Sequence, residues 1–414
     1  MQKFNKKVFL ITLAAISLAN ISYAEEKSDK ENEVIILGNY QNFFNITKSY
    51  NKKSGILIPK DSNNEDGSDT NDNDNTIPEP VNPVEPIEPV KLVVVKENGN
   101  DRAWKSKYGE KLSDINNGIV DSLDVTALWM IDENTIVTNN SNLSSVYSTE
   151  NDNLNQYTVH VLDKASFINN GIIAGQNVIG VNLENADTFV NGNNGNIKNV
   201  GDYGVKAVDT KEIKNSGLVQ NVGNYGIYAV NVAGLKNEST GKIVNDGNYG
   251  VYLDGQGSLF TNNGTIANTG KTGIYVKNAV AINNGTIENN NNYGITAEEN
   301  ATAENYGIIQ NAGITGMEAK NGAKVINQKD AIIRNTGSNG MYASSESTAV
   351  NNGVIENNGY YGMLSVGKNA ESTNNGTISN KSNYGMMGMS SGKIVNNGII
   401  SNTGTYGMGT FHDD

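Results

Sequence analysis

The sequence predicts an all-β protein, a right-handed, single-stranded parallel β-helix of about eleven coils behind a disordered linker. Three observations predict it: a repeat of about 23 residues that dominates the chain from residue 166 on, Ile or Val alternating at period two within it, and Asn and Gly at fixed places between the apolar segments. The right-handed sense follows from the rule that parallel strands connect by right-handed crossovers.

The best-defined strand carries G-x-[IV]-x-N. Its Gly position is filled at 171, 195, 217, 241, 264, 285, 307, 353, 376 and 398, with Ala331 standing in once, at spacings of 21 to 24. Two residues on come Ile173, Ile197, Val219, Ile243, Ile266, Ile287, Ile309, Ile333, Ile355, Ile378 and Ile400, the expected structural core of the repeat. Two further on come Asn199, Asn221, Asn245, Asn268, Asn289, Asn311, Asn335, Asn357, Asn380 and Asn402, with Gly175 in the first coil. Their period tracks the core Ile, so they are expected to form a structural Asn ladder along the stack, and the alternative is a row of amides that binds sugars.

The next strand reads N-Y-G-[IVM]-x-small, with Gly at 180, 204, 226, 250, 273, 294, 316, 340, 362, 385 and 407. The position two after Gly varies (Lys206, Tyr228, Tyr252, Thr296, Glu318, Tyr342, Leu364), as a solvent-facing site does. Strict alternation points Tyr203, Tyr225, Tyr249, Tyr293, Tyr361, Tyr384 and Tyr406 inward, whereas a bend at the Gly turns them out. They form either a structural stack or a platform for carbohydrate. A third strand, as in Val280-Ala281-Ile282, precedes each Asn-Asn-Gly corner. Helical repeats are longer and tolerate far less Gly. Stacked at the strand spacing of about 4.8 Å, eleven coils make a solenoid roughly 50 Å long.

Upstream of the repeat, Lys3, Lys6 and Lys7 precede an apolar run from Val8 to Leu18 and a small-residue site, Ser22-Tyr23-Ala24. That pattern predicts a signal peptide over 1–24 and a mature chain beginning at Glu25. A short segment, 25–58, leads to a disordered linker at 59–90, which is acidic (DSNNEDGSDTNDNDN) and then Pro-rich (PEPVNPVEPIEPV). Asp61, Asn63, Glu65 and Gly67 imitate a calcium loop, but the Gly falls one place late and no closing Glu follows. Residues 91–165 echo the repeat at Asn116-Asn117-Gly118 and are expected to cap the helix, with Trp104 and Trp129 plugging its end; the repeats then run over 166–410. No cap is visible after Phe411.

Composition narrows the partners. With no Cys, the chain depends on packing and backbone pairing even in an oxidising compartment. A net charge of −13 with only Arg102 and Arg334 as arginines excludes a phosphate-binding surface, so no nucleic-acid partner is expected. Neither a cofactor nor a metal is expected.

A signal peptide, an acidic and Pro-rich spacer, and coils of N-N-G-x-I-x-N and N-Y-G-I-x-A together resemble the passenger domains of autotransporters, the type V secretion adhesins of Gram-negative bacteria, over about residues 91–410. The Asn-rich style is similar to fusobacterial members. The resemblance implies a cell-surface, outer-membrane or extracellular location and partners among host or bacterial surface glycans or proteins. It also implies an outer-membrane β-barrel translocator, whose alternating amphipathic strands do not occur in this sequence. The expectation is therefore an adhesin-like interaction stalk that is a passenger without its barrel, a product of a frameshifted gene, or a chain exported by a separate partner, and one alternative is a truncated fragment with no function of its own. The rival class is a β-helical carbohydrate-active enzyme, which needs convergent carboxylates. Asp209, Glu288, Glu298, Glu299, Glu318 and Glu356 occupy different coil positions, and the histidines, His160 and His412, lie outside the regular coils, so no catalytic residue is assigned.

Overall fold

The computed structural model describes residues 24–26, 34–36, 102–105, 113–116, 119–123, 126–130, 135–146 and 156–411, apart from single corner positions at 222, 269, 290, 312, 336, 358 and 403. Most of the signal peptide and all of the linker lie outside these residues, as do the calcium-like loop and the side chains of Trp104 and Trp129. Two units separate, 1–89 and 90–414. Within the first, Ala24–Glu26 pairs antiparallel with Val34–Ile36.

The second unit is a parallel β-solenoid without a helix among its described residues. Each coil contributes one strand to each of three sheets, as Thr188–Asn191, Asn196–Val200 and Tyr203–Val208 do. The sheets hold 13, 13 and 14 strands in sequence order, and the pairing reaches back through 135–146 to Arg102–Lys105. Register is set residue against equivalent residue, for example Ile197 against Val219 and Asn191 against Asn215. A slip by one place would turn every core side chain outward, so the unbroken apolar column fixes it.

The first two strands of a coil alternate simply. Glu212–Asn215 and Leu218–Asn221 bury every second residue, giving inward columns that include Phe167, Phe189, Ile213, Leu235 and Phe260 from the first sheet. Phe167 and Phe189 stack at 5.8 Å. Further along, Ala281, Ala303 and Ala349 replace the Phe residues while Met317, Met341 and Met363 replace the Val and Ile of the third sheet. Volume removed from one wall returns on another, which keeps the core close-packed.

Each corner solves a different backbone problem. The corner after the third strand requires a left-handed residue and takes Asp209 (φ 52°), Asn231 (φ 54°), Gly255 (φ 115°) or Asn278 (φ 47°), residue types that tolerate it. The corner after the first strand holds an Asn in each described coil from Asn139 on, buried as far as Asn374 and half-buried at Asn396. From Asn139 through Asn169, Asn191, Asn215, Asn237, Asn262, Asn283, Asn305, Asn327, Asn351 and Asn374 to Asn396, each Nδ2 donates to Oδ1 of the next at 2.7–2.8 Å. The same amide also reaches a carbonyl of its own corner, Gly171 in one coil and Gly195 in the next. Corners that span four residues instead of two, Asn191 to Gly195, Asn237 to Gly241 and Asn327 to Ala331, keep this bond and account for the longest repeats.

Candidate functional site: a tyrosine face on the third sheet

The third strand is the one that breaks alternation, and the break builds the site. Tyr203–Val208, Tyr225–Val230 and Tyr249–Asp254 share one pattern in which Gly and the residue after it are both buried. Pairing runs Tyr203 to Tyr225 and resumes at Val205 to Ile227, stepping over the Gly. A Cβ on Gly204 would lie 2.6 Å from the Gly226 carbonyl oxygen of the next coil, so the backbones approach too closely for any side chain. The strand bends there, and Tyr emerges on the outer face together with the residue three places later instead of two.

Two columns of half-buried rings result. Tyr203, Tyr225 and Tyr249 stack at 4.9 and 5.3 Å, and Tyr228, Tyr252 and Tyr275 at 4.9 and 5.1 Å, all within 16° of parallel. Between the columns, rings meet edge to face at 66–83° and 5.1–5.9 Å, the favourable arrangement for opposed quadrupoles. The columns run side by side along the solenoid axis, in edge-to-face contact. Ring faces are spent on one another, and this tyrosine face presents ring edges and hydroxyl groups. Tyr252 donates to Asp254 at 3.4 Å and Tyr275 to Glu298. Among the described residues, the phenol oxygens of Tyr203, Tyr225, Tyr228 and Tyr249 have no hydrogen-bond partner. Burial and the neighbouring phenols and carboxylates raise the phenol pKa values of Tyr203, Tyr225, Tyr252 and Tyr275, that of Tyr203 to about 12, so these four stay protonated at physiological pH.

The same face continues into a polar stretch. Thr296 and Glu318, expected to face solvent, are 2% and 3% exposed; they are shorter side chains that follow Tyr275 and precede Tyr342 in one column. Glu318 accepts from Lys320 Nζ at 2.9 Å and from Thr296 Oγ1 at 3.3 Å, while Lys320 lies over the Tyr293 ring at 5.4 Å. Burial pushes the Glu318 carboxyl above the usual range despite its lysine partner. Glu298, opposite Lys320 in the ladder, is the acidic neighbour of Glu318 on this face. Coil positions that differ in sequence thus bring two carboxyl groups onto adjacent strands, which linear spacing does not reveal. Beyond, Tyr361, Tyr384 and Tyr406 form a second stack at 5.8 and 5.1 Å.

The sequence-predicted columns fall as follows. Ile173, Ile197, Val219, Ile243, Ile266, Ile287, Ile309, Ile333, Ile355 and Ile378 are fully buried, and Ile400 is partly buried against the same core. Asn199, Asn221, Asn245 and Asn380 are buried, while the side chains of Asn268, Asn289, Asn311, Asn335, Asn357 and Asn402 lie outside the described residues. The four described members serve mainly the backbone. Asn199 Nδ2 donates to the Val178 and Tyr203 carbonyls, and Asn245 to those of Asn224 and Tyr249. One amide contact along this column, Asn199 to Asn221, measures 3.2 Å, and Oδ1 of Asn199, Asn245 and Asn380 has no partner. Among the described residues, a continuous amide ladder runs through the Asn-Asn-Gly corner. At the corner before the tyrosine strand, Nδ2 bridges a carbonyl of its own coil and one of the preceding coil.

No cluster of His, Asp and Glu suited to a metal ion occurs among the described residues. No helix there is long and apolar enough to cross a membrane. No protein-family model, curated protein or solved structure matches the chain.

Proposed function

We propose that this chain is an exported, surface-exposed passenger-like stalk that binds partners and carries out no catalysis, its partners being glycans or proteins of host or bacterial surfaces. The tyrosine face carries the reading: a fully paired sheet holds an ordered row of aromatic edges and hydroxyls at the surface, and Tyr is a residue type enriched where proteins bind one another. The N-terminal signal pattern and the resemblance to autotransporter passengers support export. Labelling intact native cells with antibody to the coils is the test. Surface labelling and an N-terminus at Glu25 are expected, and signal that appears only after lysis sinks the proposal.

A glycan-cleaving reading draws on one specific observation, the buried Glu318 carboxyl with Glu298 on the adjacent strand, since acid/base pairs are carboxyls whose environments push them apart. Release of reducing ends from polysaccharide, abolished by Glu318→Gln, would favour it over the stalk.

A further inference from the structure

The stacked rings have a structural explanation that stops short of their hydroxyl groups. Stacking and edge-to-face contact need only phenyl rings, yet both columns are Tyr throughout, six residues in four coils, and four of the six oxygens find no partner among the described residues. These donors sit in two parallel rows that advance by one strand spacing, about 4.8 Å, per coil. An occupant that uses them repeatedly must itself repeat along the axis with a comparable advance and offer polar groups on each unit.

The surroundings narrow its chemistry. Every strand under the tyrosine face is paired on both sides, so no backbone edge is open to a peptide strand. Asp202, Asp254 and Glu298 lie on this face and the chain carries a net charge of −13, while Lys206 sits against the Tyr203 ring and Lys277 is paired with Glu299; a polyanion is repelled. An extended chain of neutral sugar rings meets each requirement: regular advance, hydroxyls on every unit, no charge and little backbone freedom to lose. We infer that the tyrosine face from Tyr203 to Tyr275 is a binding site for an uncharged, extended polysaccharide lying along the solenoid axis, held by hydrogen bonds to tyrosine hydroxyls and not by stacking on ring faces. This rests on the binding-stalk reading and names the ligand class of that site.

Affinity electrophoresis of the full chain through gels containing hydroxyethylcellulose, galactomannan or, as the anionic contrast, polygalacturonate tests it. Retardation by at least one neutral polymer and none by polygalacturonate is expected. Replacing Tyr225, Tyr228 and Tyr249 together by Phe keeps every ring and removes three hydroxyls. It should weaken binding by about tenfold or more with far-ultraviolet dichroism and melting unchanged. Tyr361→Phe with Tyr384→Phe, in the second stack, should bind as the parent does. Absence of retardation by either neutral polymer, equal retardation by polygalacturonate, full binding by the triple Phe variant, or equal loss in the second-stack control each overturns the inference. None of these outcomes touches the surface location, which intact-cell labelling decides separately.

Discussion

Two corners of the same coil each bury an Asn at the same period, and they use it differently. At the corner after the first strand, Asn237 donates to Asn262 and also holds the Gly241 carbonyl, so each amide is tied both to its own coil and to the next. At the corner after the second strand, Asn245 holds the Tyr249 and Asn224 carbonyls, and its Oδ1 goes without a partner. The first column joins side chain to side chain over the whole stack, whereas the second pins backbone where the chain enters the tyrosine strand. A recurrent Asn therefore identifies a buried corner without specifying whether its bonds go to other side chains or to backbone carbonyls.

Breaking each column in turn measures this difference. Asn262→Leu removes the acceptor of Asn237 and the donor to Asn283 in the middle of the ladder, and should cost about 2–4 kcal/mol. Hydrogen exchange should then show lost protection in the coils on both sides, because coils are stabilised by their neighbours. Loss confined to one coil would mean that the ladder is not a shared element. Asn245→Ala removes two bonds to carbonyls and relieves an unpartnered Oδ1, so about 1–2 kcal/mol is expected, with exchange changes limited to the Tyr249–Asp254 strand and its immediate neighbours. If urea melts place this variant below Asn262→Leu, the ranking of the two corners is reversed.

Glu318 provides a smaller, pH-dependent contrast on the tyrosine face. Its folded-state pKa is raised above 4.5, so the associated stability is fully present below about pH 4.5 and is lost as pH rises through the folded value. Glu318→Gln should therefore gain on the parent in urea melts between pH 4 and pH 7. A difference that stays flat or narrows would show that the Lys320 pair outweighs burial. The smallest effect belongs to Asn284→Ala on the outer side of the ladder corner. Its exposed amide bonds Asn263 at 2.9 Å, and a change within about 0.5 kcal/mol is expected by thermal melting.

The repeat itself made the solenoid legible, because β-branched residues at period two and Gly at two fixed places leave few alternatives to three strands and three corners. That the Asn-Asn-Gly corner carries an amide ladder was not legible. Only the backbone path decides whether an amide such as that of Asn191 or Asn199 lies within reach of another amide or of a carbonyl. The direction of the tyrosines likewise depends on a bend at Gly204 that alternation alone gets wrong by one place. Thr296 and Glu318 read as exposed because a variable position usually is, and they lie buried between the larger side chains Tyr275 and Tyr342 of the same column. The proximity of Glu298 and Glu318 arises from pairing across coils, a relation that spacing within one coil does not contain.

The amide ladder also gives the solenoid an electrical direction. All of its bonds run the same way, Nδ2 of one coil to Oδ1 of the coil that follows in sequence. Amide groups aligned in this manner add their dipoles head to tail, as peptide groups do along an α-helix, and each polarises its neighbour. The paired strands contribute little along that line, since sheets carry only small net dipoles. The positive pole points toward the coil that holds Asn396 and the negative pole toward the coil that holds Asn139. The two ends of the stack are thus inequivalent independently of net charge, and an anionic group is more at home beside the Asn396 corner than beside the Asn139 corner.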